Sequence, residues 1–286
     1  MSMKIGVMAD SFRKSFLENI KAAALVGAQG VQIYATKGEF SAEMTPAQRK
    51  EKLDIIRSHG LVVSALCGDF GGHGFMVEAD NAERIEKSKR IMDLALEFGC
   101  NVVTTHIGVV PADPSHPRME VLKKACIELG RYGDQVGASF AIETGPETAA
   151  VLKAFIDSLG VNGVRVNYDP ANLVMVQGED PAAGVKLLGN YIVHTHAKDG
   201  IMLKKGDPER IYGSSNNHDE AILYSDYFKE VPLGQGNVQF DTYLPALASI
   251  GYDGFLTIER EVGEDPAKDI GEAVLFLKEK LAKFGY

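Results

Sequence analysis

The amino-acid sequence predicts an α/β fold, a single (β/α)8 barrel, and three observations support that fold class. Short β-branched runs recur along all 286 residues, and each is followed by a segment with helical spacing, as in parallel βαβ units. A glycine, which readily takes the left-handed conformation that ends a helix, comes shortly before five of these runs. Eight such units in 286 residues average about 36 residues each, which is typical of a barrel.

The predicted strands and helices alternate along the chain. The eight predicted strands are Lys4–Met8, Val31–Tyr34, Val62–Cys67, Val102–His106, Ser139–Glu143, Val164–Asp169, Ile192–Ala197 and Phe255–Glu259. The predicted helices include Pro46–Ser58, Asn81–Phe98, Pro117–Val136 and Pro266–Phe284. A doubly wound sheet is the alternative fold, but the glycine-rich stretch Gly68–Gly74 lacks the Gly-x-Gly-x-x-Gly spacing of a dinucleotide-binding turn.

One long segment interrupts the alternation of strands and helices. Residues Gly200–Gly236 follow the seventh predicted strand and are rich in Gly, Asn, Ser and Lys. An irregular excursion of this length in a compact domain is usually functional. We therefore expect a single domain over residues 1–286, with an insert at about 200–236 that acts as a lid.

Composition and charge favour a globular protein and disfavour one that binds nucleic acid. The chain is 45% hydrophobic and 24% charged, which is ordinary for a globular protein. Its 30 Lys and Arg against 39 Asp and Glu give a net charge of −9, which disfavours a nucleic-acid partner. Three cysteines lie far apart without metal-binding spacing, and no apolar run reaches the roughly 20 residues of a membrane span. We expect a cytoplasmic protein with reduced thiols and no membrane partner.

Polar residues end each of the last four predicted strands. They include Glu143, Asp169, His196 and Glu259. In a barrel the carboxyl ends of the strands surround the ligand site, so these side chains are expected to converge. Taken singly, each fits a helix cap, an ion pair or a core histidine, but three neighbouring carboxylates repel one another unless a cation lies between them. Three oxygen donors and one nitrogen suit manganese, magnesium or cobalt better than structural zinc.

These strand ends and their flanking residues resemble the xylose isomerase-like superfamily of sugar phosphate isomerases and epimerases. The motifs that carry the resemblance are Ile142-Glu143-Thr144-Gly145, Asp169-Pro-Ala-Asn172, His194-Thr-His196-Ala-Lys198-Asp199, Leu233-Gly-Gln-Gly236 and Ile258-Glu259-Arg260-Glu261. The resemblance implies that Glu143, Asp169, His196 and Glu259 bind a divalent metal. It also implies proton transfer on a ketose, keto-sugar or sugar phosphate through an enediolate, with Glu143 and Glu259 as the catalytic pair.

Further residues are candidates for binding the substrate. The predicted substrate-binding residues are His106, Glu147, Asn172, His194, Lys198 and Arg260. His106 ends the fourth strand, where the superfamily often carries a histidine that faces the cavity. Because side chains alternate along a strand, His194 shares a face with His196 one layer deeper, and Lys198 continues that face toward solvent. Glu147 also fits an acid at the start of a helix, which the helix dipole favours.

The sequence departs from the free-ketose 3-epimerases that it resembles, and this leaves alternatives open. Asn172 and Met202 stand where those enzymes carry a histidine and an arginine, and the chain has no tryptophan. A lyase or dehydratase acting on a 3-keto-glycoside or inosose through the same enolate is the main alternative. Another is a DNA-repair enzyme like endonuclease IV, although His218-Asp219 lacks the expected Asp-x-His order. A non-catalytic sugar-binding barrel and a homo-oligomer also remain open.

Overall fold

The computed structural model describes residues 3–212 and 226–286, and its centre is a closed barrel of eight parallel strands. The barrel strands are β1 (Lys4–Met8), β2 (Gly30–Tyr34), β3 (Val62–Cys67), β4 (Val102–Thr105), β5 (Ser139–Glu143), β6 (Val164–Tyr168), β7 (Ile192–Ala197) and β8 (Phe255–Ile258). Each strand pairs with its neighbours along the chain, and β8 closes the barrel by pairing Phe255 with Lys4. The predicted (β/α)8 barrel is therefore confirmed, with every strand end within one residue of its predicted position.

A helix follows each strand and packs outside the barrel. These helices are α1 (Phe16–Leu25), α2 (Pro46–Ser58), α3 (Glu78–Glu97), α4 (Pro117–Val136), α5 (Ala149–Asp157), α6 (Pro181–Leu188), α7 (Phe240–Ser249) and α8 (Pro266–Phe284). The prediction that α3 begins at Asn81 is wrong by three residues. Asn81 is buried in the first turns of the helix, where its amide donates to Phe75 O at 3.0 Å instead of capping the end.

The side chains inside the barrel change from apolar to polar along the barrel axis. Ala65, Val102 and Ala141 form a small apolar cluster with Val193, separate from the large core between the strands and the helices. Nearer the carboxyl ends of the strands, the buried interior is polar instead. This polar layer consists of Gln32, Thr104, Asn167, His194 and Thr257. It lies beneath the strand ends that carry the candidate metal ligands, so it can orient those ligands from below.

The described parts of the predicted insert form an antiparallel ribbon. Asp199–Met202 pairs with Phe228–Val231, and a short helix spans Pro208–Tyr212. The Asp199 carboxylate accepts hydrogen bonds from the backbone N–H groups of Gly200, Gly234, Gly236 and Val238, all at 2.9 to 3.0 Å. A Cβ at Gly236 would collide with that carboxylate. The Leu233-Gly-Gln-Gly236 motif therefore builds a loop that closes around Asp199.

Three further expectations concern the insert, the cysteines and membrane-spanning helices. Residues 213–225, which include His218 and Asp219, lie outside the described residues, so the lid stays a prediction. All three cysteines are buried and none forms a disulfide. None of the helices in residues 3–212 and 226–286 combines the length and apolar composition needed to span a bilayer.

Candidate metal centre

Four side chains from neighbouring strand ends converge at the top of the barrel. Glu143 ends β5, Asp169 follows β6, His196 lies in β7 and Glu259 follows β8. Each offers one ligand atom, and these atoms all lie within 4.8 Å of one another. His196 Nδ1 is 3.4 Å from Glu143 Oε1, 3.3 Å from Asp169 Oδ2 and 3.4 Å from Glu259 Oε2. The structure thus brings together the four residues that the sequence singled out as ligands.

The buried charges of this cluster shift the pKa values of its members. Burial lowers the pKa of His196, but Glu259 and Glu143 outweigh it and raise that pKa well above its ordinary value. Burial raises the pKa of Glu143, but the charges of His196 and His106 outweigh it and leave that pKa lowered. Burial raises the pKa of Glu259 to about 7, against the opposing effect of Lys198. Three buried carboxylates face one imidazole, a donor set that fits a hard divalent ion.

Asp169 caps the short helical turn Pro170–Asn172, which directly follows β6, and also faces the cluster. Its Oδ1 accepts from the backbone N–H groups of Ala171 at 2.8 Å and Asn172 at 2.9 Å, while Oδ2 faces His196. Thr144 also exchanges two hydrogen bonds with the backbone of Asp169. The helix-cap interpretation and the ligand interpretation are therefore compatible, because each uses a different carboxylate oxygen.

Two amides hold the Glu143 carboxylate. Asn172 Nδ2 donates to Oε1 at 3.2 Å, and Asn167 Nδ2 donates to Oε2 at 3.1 Å. Asn172 is buried and its amide lies beside the Glu143 carboxylate, and its binding of substrate stays a prediction.

His194 lies one layer below His196, as the alternation of the strand predicts. Its Nδ1 is 2.8 Å from Asn167 Oδ1 and its Nε2 is 2.9 Å from Thr257 Oγ1. Burial lowers the pKa of His194 to about 3, so the ring is neutral and uses both nitrogens within the polar layer. Since Asn167 also donates to Glu143, His194 acts on the cluster through Asn167.

The prediction that Lys198 points toward solvent is wrong. Lys198 is only 3% exposed, and its Nζ lies 2.9 Å from Glu259 Oε2, in contact with Glu261 and 3.8 Å from Glu230 Oε2. The described end of the insert carries Glu230 and covers the ammonium group. Lys198 is therefore a buried counter-ion of Glu259.

Arg260 is held by carboxylates in the same region. Its guanidinium bonds Glu230 through Nη1 and Asp269 through Nε at 2.8 Å. Its backbone N–H donates to Ser11 Oγ at 3.1 Å. The described contacts of Arg260 therefore support the loop after β8, and its binding of substrate stays a prediction.

His106 forms a pair with Asp69 beside the cluster. His106 Nδ1 is 3.0 Å from Asp69 Oδ2, and Nε2 is 3.7 Å from Glu143 Oε1. Burial lowers the pKa of His106, but Glu143 and Asp69 outweigh it and raise that pKa to about 10. A cavity of about 140 Å³ adjoins the pair and is also lined by glycines of the Gly68–Gly74 loop. His106 thus lines this cavity, and its binding of substrate stays a prediction.

Glu147 is buried in the loop that follows β5. Its Oε2 accepts from Val110 N at 3.4 Å. Burial raises the pKa of this carboxyl to about 8, so Glu147 is largely protonated near neutral pH. Its role in binding substrate stays a prediction.

Sequence reasoning missed the polar layer, except for His194. Its other members are Gln32, Thr104, Asn167 and Thr257. A signal for them was present, because each is a polar residue inside a run otherwise expected to be a buried strand. Polar groups in such positions need partners, and in a barrel those partners come from other strands.

The fold and the converging acids define a class of protein: a barrel with a candidate metal site at the carboxyl ends of its strands. Residues 20–280 match the family model described as xylose isomerase-like TIM barrel, and the chain belongs to that family. The resemblance drawn from the strand-end motifs is thereby confirmed.

Curated relatives are distant and match only in part. An uncharacterized protein of Methanocaldococcus jannaschii is 25% identical over 70% of this chain and 65% of its own length. An inosose dehydratase of Lacticaseibacillus casei is 27% identical over 54% of this chain and 52% of its own length. The match therefore spans less than two thirds of each relative.

Solved structures agree over nearly the whole chain. A xylose isomerase domain protein from Planctomyces limnophilus has a TM-score of 0.77 and 26% identity, covering 99% of this chain and 98% of its own. A D-tagatose 3-epimerase-like protein has a TM-score of 0.74 and 20% identity, covering 99% and 100%. Proteins of this family and these neighbours include sugar-modifying enzymes.

Proposed function

We propose that this chain is a divalent-metal-dependent sugar isomerase or epimerase that acts on a ketose, keto-sugar or sugar phosphate. The observation that carries the proposal is the convergence of Glu143, Asp169, His196 and Glu259, whose ligand atoms lie within 4.8 Å of one another. The family and its epimerase neighbours support the same function.

The donor set fits the ion that this chemistry requires. Glu143, Asp169, His196 and Glu259 would hold it, with manganese the best match and magnesium or cobalt the alternatives. Bound there, a divalent ion would polarise the carbonyl and hydroxyl oxygens of the sugar and acidify the carbon-bound proton between them.

The two glutamates perform the proton transfers. They come from β5 and β8, which are not adjacent in the barrel, and we expect them to flank the reacting carbon. One removes the proton to give an enediolate, and the other returns a proton to the opposite face. A divalent ion bound to both carboxylates would hold both of them ionised, so the isotope test of the two Gln variants decides which of Glu143 and Glu259 is the base. Positioned proton transfer of this kind contributes roughly a hundred- to ten-thousand-fold in rate.

A deuterium-exchange screen tests this function. Ketoses, keto-sugars and their phosphates are incubated with manganese-loaded protein in deuterated buffer, and the mass of each compound is followed. We expect one substrate class to gain a single deuterium and to form an epimer or isomer. A panel in which no compound gains deuterium or changes structure would contradict the proposal and favour a sugar-binding barrel.

A dehydratase is the second candidate function, and the His106–Asp69 pair favours it. The pKa of His106 is raised to about 10, so a protonated imidazole lies 3.7 Å from the candidate base Glu143. Such a group can protonate a hydroxyl as it leaves from the carbon next to an enolate. The partial match to an inosose dehydratase points the same way.

The same screen distinguishes an isomerase or epimerase from a dehydratase by the mass of the product. Isomerisation or epimerisation conserves the mass apart from deuterium, whereas a dehydratase releases water. Replacing His106 by Asn would abolish water loss while leaving proton exchange at the neighbouring carbon. Loss of both water release and proton exchange would instead show that His106 takes part in the proton transfer that the two reactions share.

Endonuclease activity is the weakest alternative. Asn172 bonds Glu143 where the endonuclease resemblance expects a further ligand, and the net charge is −9. A titration with abasic DNA at rising salt concentration checks it, because binding through phosphates must weaken steeply with salt.

A further inference from the structure

Gln32 lies directly beneath the candidate metal centre and takes no part in the proton transfers. It comes from β2, on the opposite side of the barrel from His196, and is completely buried. Gln32 Oε1 is 3.0 Å from His196 Nε2, and Gln32 Nε2 donates to Thr104 Oγ1 at 2.7 Å. Thr104 and His196 are equally buried, so water does not compete for these hydrogen bonds.

The two ring nitrogens of His196 face different groups. Nδ1 faces the carboxylates of Glu143, Asp169 and Glu259, so Nδ1 is the nitrogen that would bind the ion. A neutral imidazole that binds an ion through one nitrogen carries its proton on the other. The proton must therefore lie on Nε2, and it needs an acceptor in a buried site.

Gln32 supplies that acceptor. The other polar neighbour of His196 Nε2 is Asn167 Nδ2 at 3.3 Å, which is itself a donor and bonds Glu143 Oε2 at 3.1 Å. Asn167 Oδ1 faces His194 Nδ1, which fixes the orientation of that amide. Thr104 in turn holds the Gln32 amide with its oxygen toward the ring.

We propose that Gln32 is a positioning residue for the metal centre. By accepting the Nε2 proton it holds His196 in the tautomer whose Nδ1 is bare and directed at the three carboxylates, and Thr104 fixes the amide that does so. The inference rests on the proposed function in one respect, that an ion occupies the four ligands. Groups that orient a metal-binding histidine typically contribute ten- to a hundred-fold in metal affinity.

The test compares three substitutions in the full chain. Gln32→Met keeps the length of the side chain but removes the acceptor, Gln32→Glu keeps an acceptor, and Thr104→Val removes the hydroxyl that holds the amide. Manganese affinity is measured by competition with a chelator, and the protonation of the His196 nitrogens is read by nitrogen NMR on the zinc-loaded protein. Zinc serves here as a diamagnetic probe.

We expect Gln32→Met to weaken manganese binding about ten- to a hundred-fold and to lose the hydrogen-bonded Nε2 proton signal. Thr104→Val should give a smaller loss, and Gln32→Glu should stay within about threefold of wild type. Asn81→Leu is the matched control, because it removes a buried amide that bonds Phe75 O away from the cluster. That variant should lose stability but keep both the affinity and the His196 signal.

The outcomes separate this inference from the proposed function. If the wild-type protein binds no ion at the four ligands, both are overturned. If the wild type binds the ion and Gln32→Met binds it within about twofold of wild type with Nε2 still protonated, only the role of Gln32 is overturned. Should Gln32→Met not fold, Thr104→Val decides, and an unchanged affinity together with an unchanged His196 signal would overturn the inference.

Discussion

At the scale of single residues, Glu143 and Glu259 differ in environment although both end parallel strands. Two amide groups and nearby imidazoles surround Glu143, and its pKa is lowered. Burial raises the pKa of Glu259 to about 7, although Lys198 lies 2.9 Å away.

Replacing each glutamate by glutamine tests whether both Glu143 and Glu259 transfer protons. Glu143→Gln and Glu259→Gln should each keep the fold and lose product formation by at least about a hundred-fold, because each lacks a proton-transfer group. Isotope exchange should distinguish them: the variant that lacks only the reprotonating acid still washes the substrate proton into deuterated water, and the variant that lacks the base does not. Metal content is measured alongside, and Glu179→Gln is the control, because its amide oxygen can still accept from Ala149 N. Near wild-type turnover by both variants would rule out the two-carboxylate mechanism.

Glu147 gives the molecule a pH-dependent stability. Burial raises its pKa from an ordinary 4.5 to about 8, so between these values the folded chain keeps a proton that the unfolded chain has released. The contribution of Glu147 to the free energy of unfolding should therefore fall as the pH rises through this range, by up to about 1.4 kcal/mol per pH unit.

Glu147→Gln removes that proton, so its free energy of unfolding should fall less steeply over the same range. Urea unfolding between about pH 5 and pH 8 measures the two slopes. Glu83→Gln is the control, because the pKa of exposed Glu83 is lowered by Lys87 and the substitution should keep the wild-type slope. Equal slopes for wild type and Glu147→Gln would show that Glu147 is ionised in the folded chain.

At the scale of elements, the loop around Asp199 connects the insert to the cluster. The carboxylate accepts from Gly234, Gly236 and Val238, which follow the ribbon strand that carries Glu230. Glu230 in turn bonds Arg260 and lies 3.8 Å from Lys198. The loop thus places the acid that covers the ammonium group beside Glu259.

Asp199→Ala should destabilise the fold by at least about 2 kcal/mol, because it removes the acceptor of four backbone N–H groups, two of which belong to the buried residues Gly200 and Val238. Urea unfolding measures the change. Asp226→Ala, which removes an exposed carboxylate 3.9 Å from Lys204, should cost less than about 1 kcal/mol. Similar losses in the two variants would contradict the role given to Asp199.

At the scale of the whole molecule, the sequence predicts the contacts that a closed parallel barrel imposes on its strand ends. The carboxyl ends of adjacent parallel strands must meet, so Glu143, Asp169, His196 and Glu259 could be grouped from the sequence alone. The burial of Lys198 could not be predicted, because its partner Glu230 lies about 30 residues further along the chain and belongs to no strand of the barrel.

The barrel layer in which Gln32 and Asn167 lie could not be predicted from the sequence, for a different reason. Register shifts occur between Val31 and Gln32 in the pairing of β2 with β3, and between Val166 and Asn167 in the pairing of β6 with β7. A shift of this kind changes which residues share a layer of the barrel, and alternation along one strand does not reveal it. The contact between Gln32 and His196 therefore depends on the assembled barrel.

The proposed chemistry depends on one divalent ion bound among the four strand ends. Anomalous scattering from crystals of the manganese-loaded protein, together with metal analysis of the same sample, tests this directly. We expect one ion per chain, coordinated by Glu143, Asp169, His196 and Glu259. Stoichiometric metal at another position, with these four side chains unliganded, would contradict the proposal.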